Sequence, residues 1–410
     1  MSADARLIAS QVIRECRRRH PSAQILAFGS ASGVTIGVGR RSYLISRAGS
    51  WAGLMPDGTE YSGAVNSDFG DPIGRFLDAN CQDLVIGYIG FEGNVRHVPG
   101  IPTSPYPSTV LAVPETLIEV DSEGRIGGTD LAFTTPRAGA YAAAGVRLSS
   151  AAREEFTAVA DAALRWIDGR DRRATVCVRS DLDVAVDLPA TFSAGLIDDL
   201  GLAQSFYAWV DGFEFVGTSP ELLLDGSLDG LVATHKLSGT FATRRTADVG
   251  ADSLTLRILK EHEGTVEGMT QILKTVGFSE PGPTRVMRVG PLSHLLTSFE
   301  TKPYTEVSMS QLLLALLPSG AAPRDDGLAL IAGLESHARG PYYGLFGVCR
   351  PSGRLRFCQT LRAALSASGS QWVMVGAAVT RLSTAELEAA EIALKASSIM
   401  VVSATTDTAS

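Results

Sequence analysis

Between about residue 24 and residue 135 the chain alternates short apolar runs with turns rich in Gly, Pro and Asp: ILAFGS, VTIGV, SYLIS, LVIGYIGF, TVLAV and TLIEV. Runs of this length bounded by turn formers are strand signals, and few helical periods lie between them. Helical periodicity arrives at SSAAREEFTAVADAALRWID, which opens on a serine cap at Ser149. Strand texture then returns in TVCVRSDLDVAVD, YAWVDGFEFVGTSPELLLDG and LVATHKLSG. Further helices are expected from about Asp252 to Val276, over SQLLLALL and around Leu328–Ser336. Three strands follow, YYGLFGVCRP, RLRFCQTLRAAL and QWVMVGAAV, before a last helix from Ser383 to about Ser398, where Ser383 and Glu386 suit a capping box. Strands first and helices interleaved late predict an α+β fold rather than a doubly wound parallel sheet. No linker separates the β-rich half, residues 1–148, from residues 149–404, so the two are expected to share one core. Residues 405–410 read as a disordered tail.

The 410 residues leave room for one large domain. A net charge of −8 argues against nucleic acid as a partner, because phosphate binding needs clustered Lys and Arg. A small acidic substrate remains compatible, since a local cationic pocket can sit in an acidic protein. The five cysteines (Cys16, Cys81, Cys177, Cys349, Cys358) contain no CxxC pair, which suggests neither a disulfide framework nor a zinc site. The start lacks an apolar core of signal-peptide length, and no run reaches the length of a membrane span. A cytoplasmic protein with no membrane partner is expected.

From about Phe213 to Met400 the chain resembles the chorismate-utilising enzymes: anthranilate, aminodeoxychorismate, isochorismate and salicylate synthases. GTSPELLL is similar to the family's G-x-SPE-x-L strand end, KLSGTF to its PIAGTR turn, and KEHEGTVEG to its KE-x-x-EH helix. SHLLTSF, PSGAAPR, RGPYYGLFG, TLRAAL and VGAAVTRLSTAELEAAEIALK follow in the family's order, and GYIGFE resembles the GYLGYE of the ammonia-using branches. The resemblance implies a single large domain, two antiparallel β-sheets packed as a sandwich with helices outside. It also implies replacement of the C4 hydroxyl of chorismate by a nucleophile, in some members with loss of pyruvate, to give an amino- or hydroxy-substituted cyclohexadiene or benzoate.

Carried over by position, the resemblance makes Arg362 and Tyr342 the anchors of one substrate carboxylate, a role for which a guanidinium fork is suited. Glu221 becomes the general acid and His294 the group beside the departing hydroxyl; the competing readings are a turn glutamate and a core histidine. Gly239 and Thr240 of KLSGTF, Gly376 and Lys395 join the substrate-binding set. In the last helix Glu388, Glu391 and Lys395 share one face at 3.6 residues per turn. In the family this face supplies carboxylates to Mg²⁺.

Three departures stand out. With KE placed on Lys260–Glu261, the second metal carboxylate falls on Gly264, leaving Glu391 with Glu261 and Glu388 as candidate ligands. A hard dication prefers several oxygens, so Mg²⁺ is expected to bind weakly or not at all, unless a register shift brings in Glu263 or Glu267. The lysine base of the water-using branches falls on Arg173 or Ala174, neither of which can activate water. Lys236, preceded by His235, replaces the proline of the turn and could bring positive charge, and both are candidate catalytic residues. GYIGFE and the missing lysine favour the ammonia-using branch, with ammonia free or from a glutamine amidotransferase subunit. An isochorismate or salicylate synthase, and a non-catalytic paralogue that binds chorismate, are the alternatives.

Overall fold

The short apolar runs pair into two large antiparallel sheets, and both draw strands from either side of Leu148. In the computed structural model the described residues are 1–64, 70–92, 100–128, 143–196, 203–242, 253–289 and 292–404; the predicted tail at 405–410 lies outside them. One sheet, of ten strands among the described residues, includes in spatial order Arg173–Asp181, Ser370–Thr380, Ala363–Ala367, Phe213–Ser219, Gln204–Val210 and Ile25–Ser30. The other, of twelve, includes Leu292–Pro303, Val232–Ala242, Leu222–Ser227, Arg354–Gln359, Leu345–Cys349 and Val85–Ile89. This is the expected α+β sandwich.

The sheets meet through aromatic rings. Phe28 and Phe206 of the first stack on Phe346 of the second at 6.1 and 5.4 Å, and Phe215 meets Tyr88 at 5.9 Å. The outer face of the first sheet is covered by the helices Ala3–Arg19, Ser150–Ile167, Leu188–Gly195 and Ala385–Ser397. Gly70–Ala79, Ser253–Lys274 and Met309–Leu316 cover the second. Strands such as Ile25–Ser30 and Thr109–Val113 are therefore buried at every position. That is why their sequences run apolar rather than alternating.

Two details depart from the sequence reading. The last helix is capped by Thr384, whose hydroxyl accepts from Leu387 N, while Ser383 Oγ accepts from Thr380 N at 3.0 Å, so the capping box is not formed. The stretch RLRFCQTLRAAL is two strands, not one, because Arg362 has a φ of +49° that no strand accommodates. The break is where the chain crosses from one sheet to the other. A second crossing, at Pro220–Glu221, lies beside it: Gln359 N donates to Glu221 O at 2.9 Å. Among the described residues no helix is long and apolar enough to cross a membrane.

Candidate active site

A cavity of about 390 Å³ opens beside these two crossings and is lined by strands of both sheets and by the helices Ser253–Lys274 and Ala385–Ser397. The crossings bring Glu221 and Arg362, 141 positions apart in sequence, to its wall. Residues at such crossings escape the strand ladder, so their side chains are free to be presented to a ligand rather than to a core.

Glu221 is buried and forms an ion pair with Lys236 across the two neighbouring strands. With its amide nitrogen facing the carboxylate, Gln359 donates to Glu221 Oε2 at 3.1 Å and Oε1 at 3.2 Å. The candidate acid is thus a carboxylate receiving hydrogen bonds from an ammonium and an amide. No local sequence pattern indicates this partnership with Lys236.

Arg362 lies deep in the wall and donates from Nη2 to His294 Nε2 at 2.9 Å. Burial lowers its pKa to about 10, which leaves it charged at neutral pH, and Glu221 and Tyr342 counter the shift. Among the described residues it has no carboxylate partner within ion-pair distance, so its remaining N–H groups can receive one. Burial, and then the charges of Arg362 and Lys395, hold His294 well below the usual histidine range. A neutral ring that accepts at Nε2 carries its proton on Nδ1, where it faces Thr240 Oγ1 at 3.3 Å. His294 therefore supports Arg362 rather than standing ready to donate to a ligand. Tyr342 lines the cavity, and Tyr343 beside it has a φ of +63°. Two non-glycine residues in the left-handed region at one site are strained, at about 1–3 kcal/mol each, and persist only because the surroundings hold them.

Helices from opposite faces of the sandwich meet at the third wall. Arg257 of Ser253–Lys274 reaches across to Ala385–Ser397, with Nη1 donating to Glu388 Oε1 at 2.7 Å and Nη2 lying 3.7 Å from Glu391 Oε2. Lys395 Nζ bonds Glu391 Oε1 at 2.9 Å and the carbonyl of Gly376 at 3.1 Å. Glu261 faces the same cluster; burial, then the charge of Glu391, pushes its carboxyl up to about 8.

These residues do not fit the Mg²⁺ that the family implies between the two helices. Gly264 supplies no oxygen, and a Cβ there would have nothing within 4 Å. Glu388 and Glu391 are already committed to Arg257 and Lys395. A dication there would also face the guanidinium's own charge. Glu263 and Glu267 are exposed and line no part of the cavity, so no register shift supplies the missing ligand.

Other expected residues lie elsewhere. His235 is not on the cavity wall: successive side chains of a strand face opposite ways, and Lys236 takes the cavity side of Val232–Ala242. Burial, then Arg285, lower its pKa. Gly239, with φ +65°, forms the irregularity between Ser238 and Phe241, and a Cβ there would meet Ile258 Cγ2 at 2.6 Å. Its role is to let the strand pass close to the helix, while Thr240 takes the cavity side. Glu388 is buried behind the wall with Arg257. Glu92 of GYIGFE likewise lies away from the cavity, accepting from Ser104 N at 2.7 Å.

Arg173 cannot serve as a base, yet it lines the cavity. Its Nη1 donates to Thr265 Oγ1 at 3.1 Å, and a Cβ on Gly268 would lie 3.7 Å from Nη2. The small residues on this helix face thus leave room for a guanidinium.

The sequence pattern of the family described as chorismate binding enzyme matches residues 74–401. A salicylate synthase of Mycolicibacterium paratuberculosis is 30% identical over 258 residues, 59% of this chain and 56% of that protein. An anthranilate synthase component 1 of Acetivibrio thermocellus is 26% identical over 208 residues, 48% of this chain and 42% of that protein. The chain thus spans about half the length of the curated relatives it matches. Among solved structures, anthranilate synthase component I from Streptococcus pneumoniae superposes with a TM-score of 0.68 at 17% identity, covering 91% of this chain and 92% of that one. The menaquinone-specific isochorismate synthase of Escherichia coli does so with a TM-score of 0.65 at 19% identity, covering 92% and 87%. At these identities the structures speak for the fold alone.

Proposed function

The chain belongs to the chorismate-binding enzyme family, and from that premise we propose that it binds chorismate or a close relative and replaces the C4 hydroxyl with a small nucleophile. The observation that carries this reading is one cavity holding the half-buried guanidinium of Arg362, which has no carboxylate partner among the described residues, next to the Lys236–Glu221 pair. A dicarboxylate needs two cationic anchors. Arg362 with Tyr342 takes the enolpyruvyl carboxylate, and Lys395 with Arg173 takes the ring carboxylate. The Lys236–Glu221 pair delivers a proton as the C4–O bond breaks, and the hydroxyl leaves as water. The entering water or ammonia loses a proton in turn, which returns the pair to its starting state.

Incubation with chorismate, and with chorismate plus ammonium, followed by product identification tests this directly. Consumption with a C2-substituted product supports the proposal; binding without consumption means a chorismate-binding paralogue instead. A second reading, hydration to an isochorismate-type product or onward to a hydroxybenzoate, is favoured by Lys236. It sets an amine at the cavity from a different strand, which removes the objection raised by Arg173 and Ala174. If ammonium rather than water is consumed, an amidotransferase partner becomes the natural supplier.

Glu221→Gln keeps the shape of the side chain and removes the carboxylate. Turnover should fall about 10²-fold or more, the scale of a positioned acid, while chorismate affinity changes little. Lys236→Met should show the same separation of turnover from binding. Full turnover in both variants would take the proton transfer away from this pair.

A further inference from the structure

We infer that Arg257 is a resident cation standing where the family places its divalent metal, so that this chain assembles its site without Mg²⁺. The inference rests on the family reading for what is replaced, and on this structure for what replaces it.

Glu388 and Glu391 of Ala385–Ser397 meet Arg257 of Ser253–Lys274, a helix on the opposite face of the sandwich, and Glu261 of that helix lines the same cavity as Glu391. Two buried carboxylates side by side repel each other, and Arg257 offsets that charge from within the chain. Its guanidinium, 11% exposed, lies 2.7 Å from Glu388 and 3.7 Å from Glu391. A planar fork can hold two carboxylates at once. Arg257 does not line the cavity. It acts through Glu391, which holds Lys395, which faces the ligand. Arg257 is therefore a positioning residue. The loss of the glutamate at Gly264 belongs to the same arrangement: with the cation supplied covalently, a second metal carboxylate would leave the cluster over-charged.

The test uses the full chain stripped with EDTA. Titration of MgCl₂ into it by calorimetry, with and without chorismate, should give no binding heat at micromolar metal, and chorismate affinity should be the same in EDTA and in Mg²⁺. Arg257→Gln should weaken chorismate binding about 10-fold or more, the scale of residues that orient a ligand-holding group. Mg²⁺ should recover part of that loss, most clearly in the Arg257→Gln/Gly264→Glu double variant. Arg257→Lys, which retains a cation, should remain indifferent to metal, and it serves if the glutamine variant does not fold. Saturable micromolar Mg²⁺ binding by the unaltered chain would overturn the inference, as would an Arg257→Gln variant with unchanged affinity and no metal response. A chain that neither binds nor consumes chorismate would instead overturn the proposed function, and the metal titration would still decide the role of Arg257.

Discussion

Replacing Arg362 by alanine is expected to cost about 2–5 kcal/mol of chorismate affinity, because the substrate carboxylate would enter a buried site with no charge to receive it. The guanidinium is prepared for that contact: His294 fixes one edge, and the surrounding fold imposes the φ of +49° on its backbone. Preorganisation of this kind is what a removed side chain cannot restore. Arg362→Lys retains the charge without the fork and should recover only part of the loss. Calorimetry on both variants reads the effect, and an unchanged affinity in Arg362→Ala would move the anchor to Arg173 or Lys395. Because His294 is neutral and supports the arginine, His294→Asn should weaken binding along with turnover, whereas a proton donor would affect turnover alone.

The second large effect falls on stability rather than on the ligand. Arg339 and Glu335 form an ion pair at 2.6 Å that is buried on both sides, with side-chain exposures of 1% and 4%. Glu335 Oε1 accepts from Cys177 N at 2.8 Å, and Arg339 Nη2 donates to Thr175 O at 2.6 Å. The guanidinium also lies over the ring of Phe91, 4.1 Å from its centre. The pair thus ties the helix Arg324–Leu334 and the loop after it to the strand that carries Arg173 and Thr175 into the cavity. Arg339→Met should destabilise the fold by about 3–5 kcal/mol, since Glu335 would remain buried and uncompensated. Adding Glu335→Leu should return much of that loss, because an apolar pair of similar volume avoids the desolvation cost of two ions. Urea denaturation of the single and double variants measures both; a loss under about 1 kcal/mol in Arg339→Met would show that the pair contributes little.

Some of this was legible in the chain. Short apolar runs between turn formers announced strands, and late helical periods announced the α+β class, because both signals lie within a few neighbouring residues. The helices Gly70–Ala79 and Leu188–Gly195 were not anticipated; at 10 and 8 residues they are too short for a persuasive period. The motifs around Glu221 and Arg362 stood out as patterns, but not the reason they are neighbours, which is that the chain changes sheet at both. The arginine of RGPYYG belonged to a recognisable motif too, yet its partners, Glu335 and the backbone of Thr175, show that it secures a strand.

What the sequence determined by itself is therefore periodic and local: which stretches become strands or helices, and that Glu388, Glu391 and Lys395 share one helical face. The tertiary structure decided which of those three meets the cavity, that Arg257 arrives from another helix to hold the two carboxylates, and that Lys236 rather than His235 pairs with Glu221. Periodicity is set by bonds between adjacent residues and can be read along the chain. An ion pair between elements depends on how two elements are placed and turned toward each other, and that placement comes from the packing of the whole core.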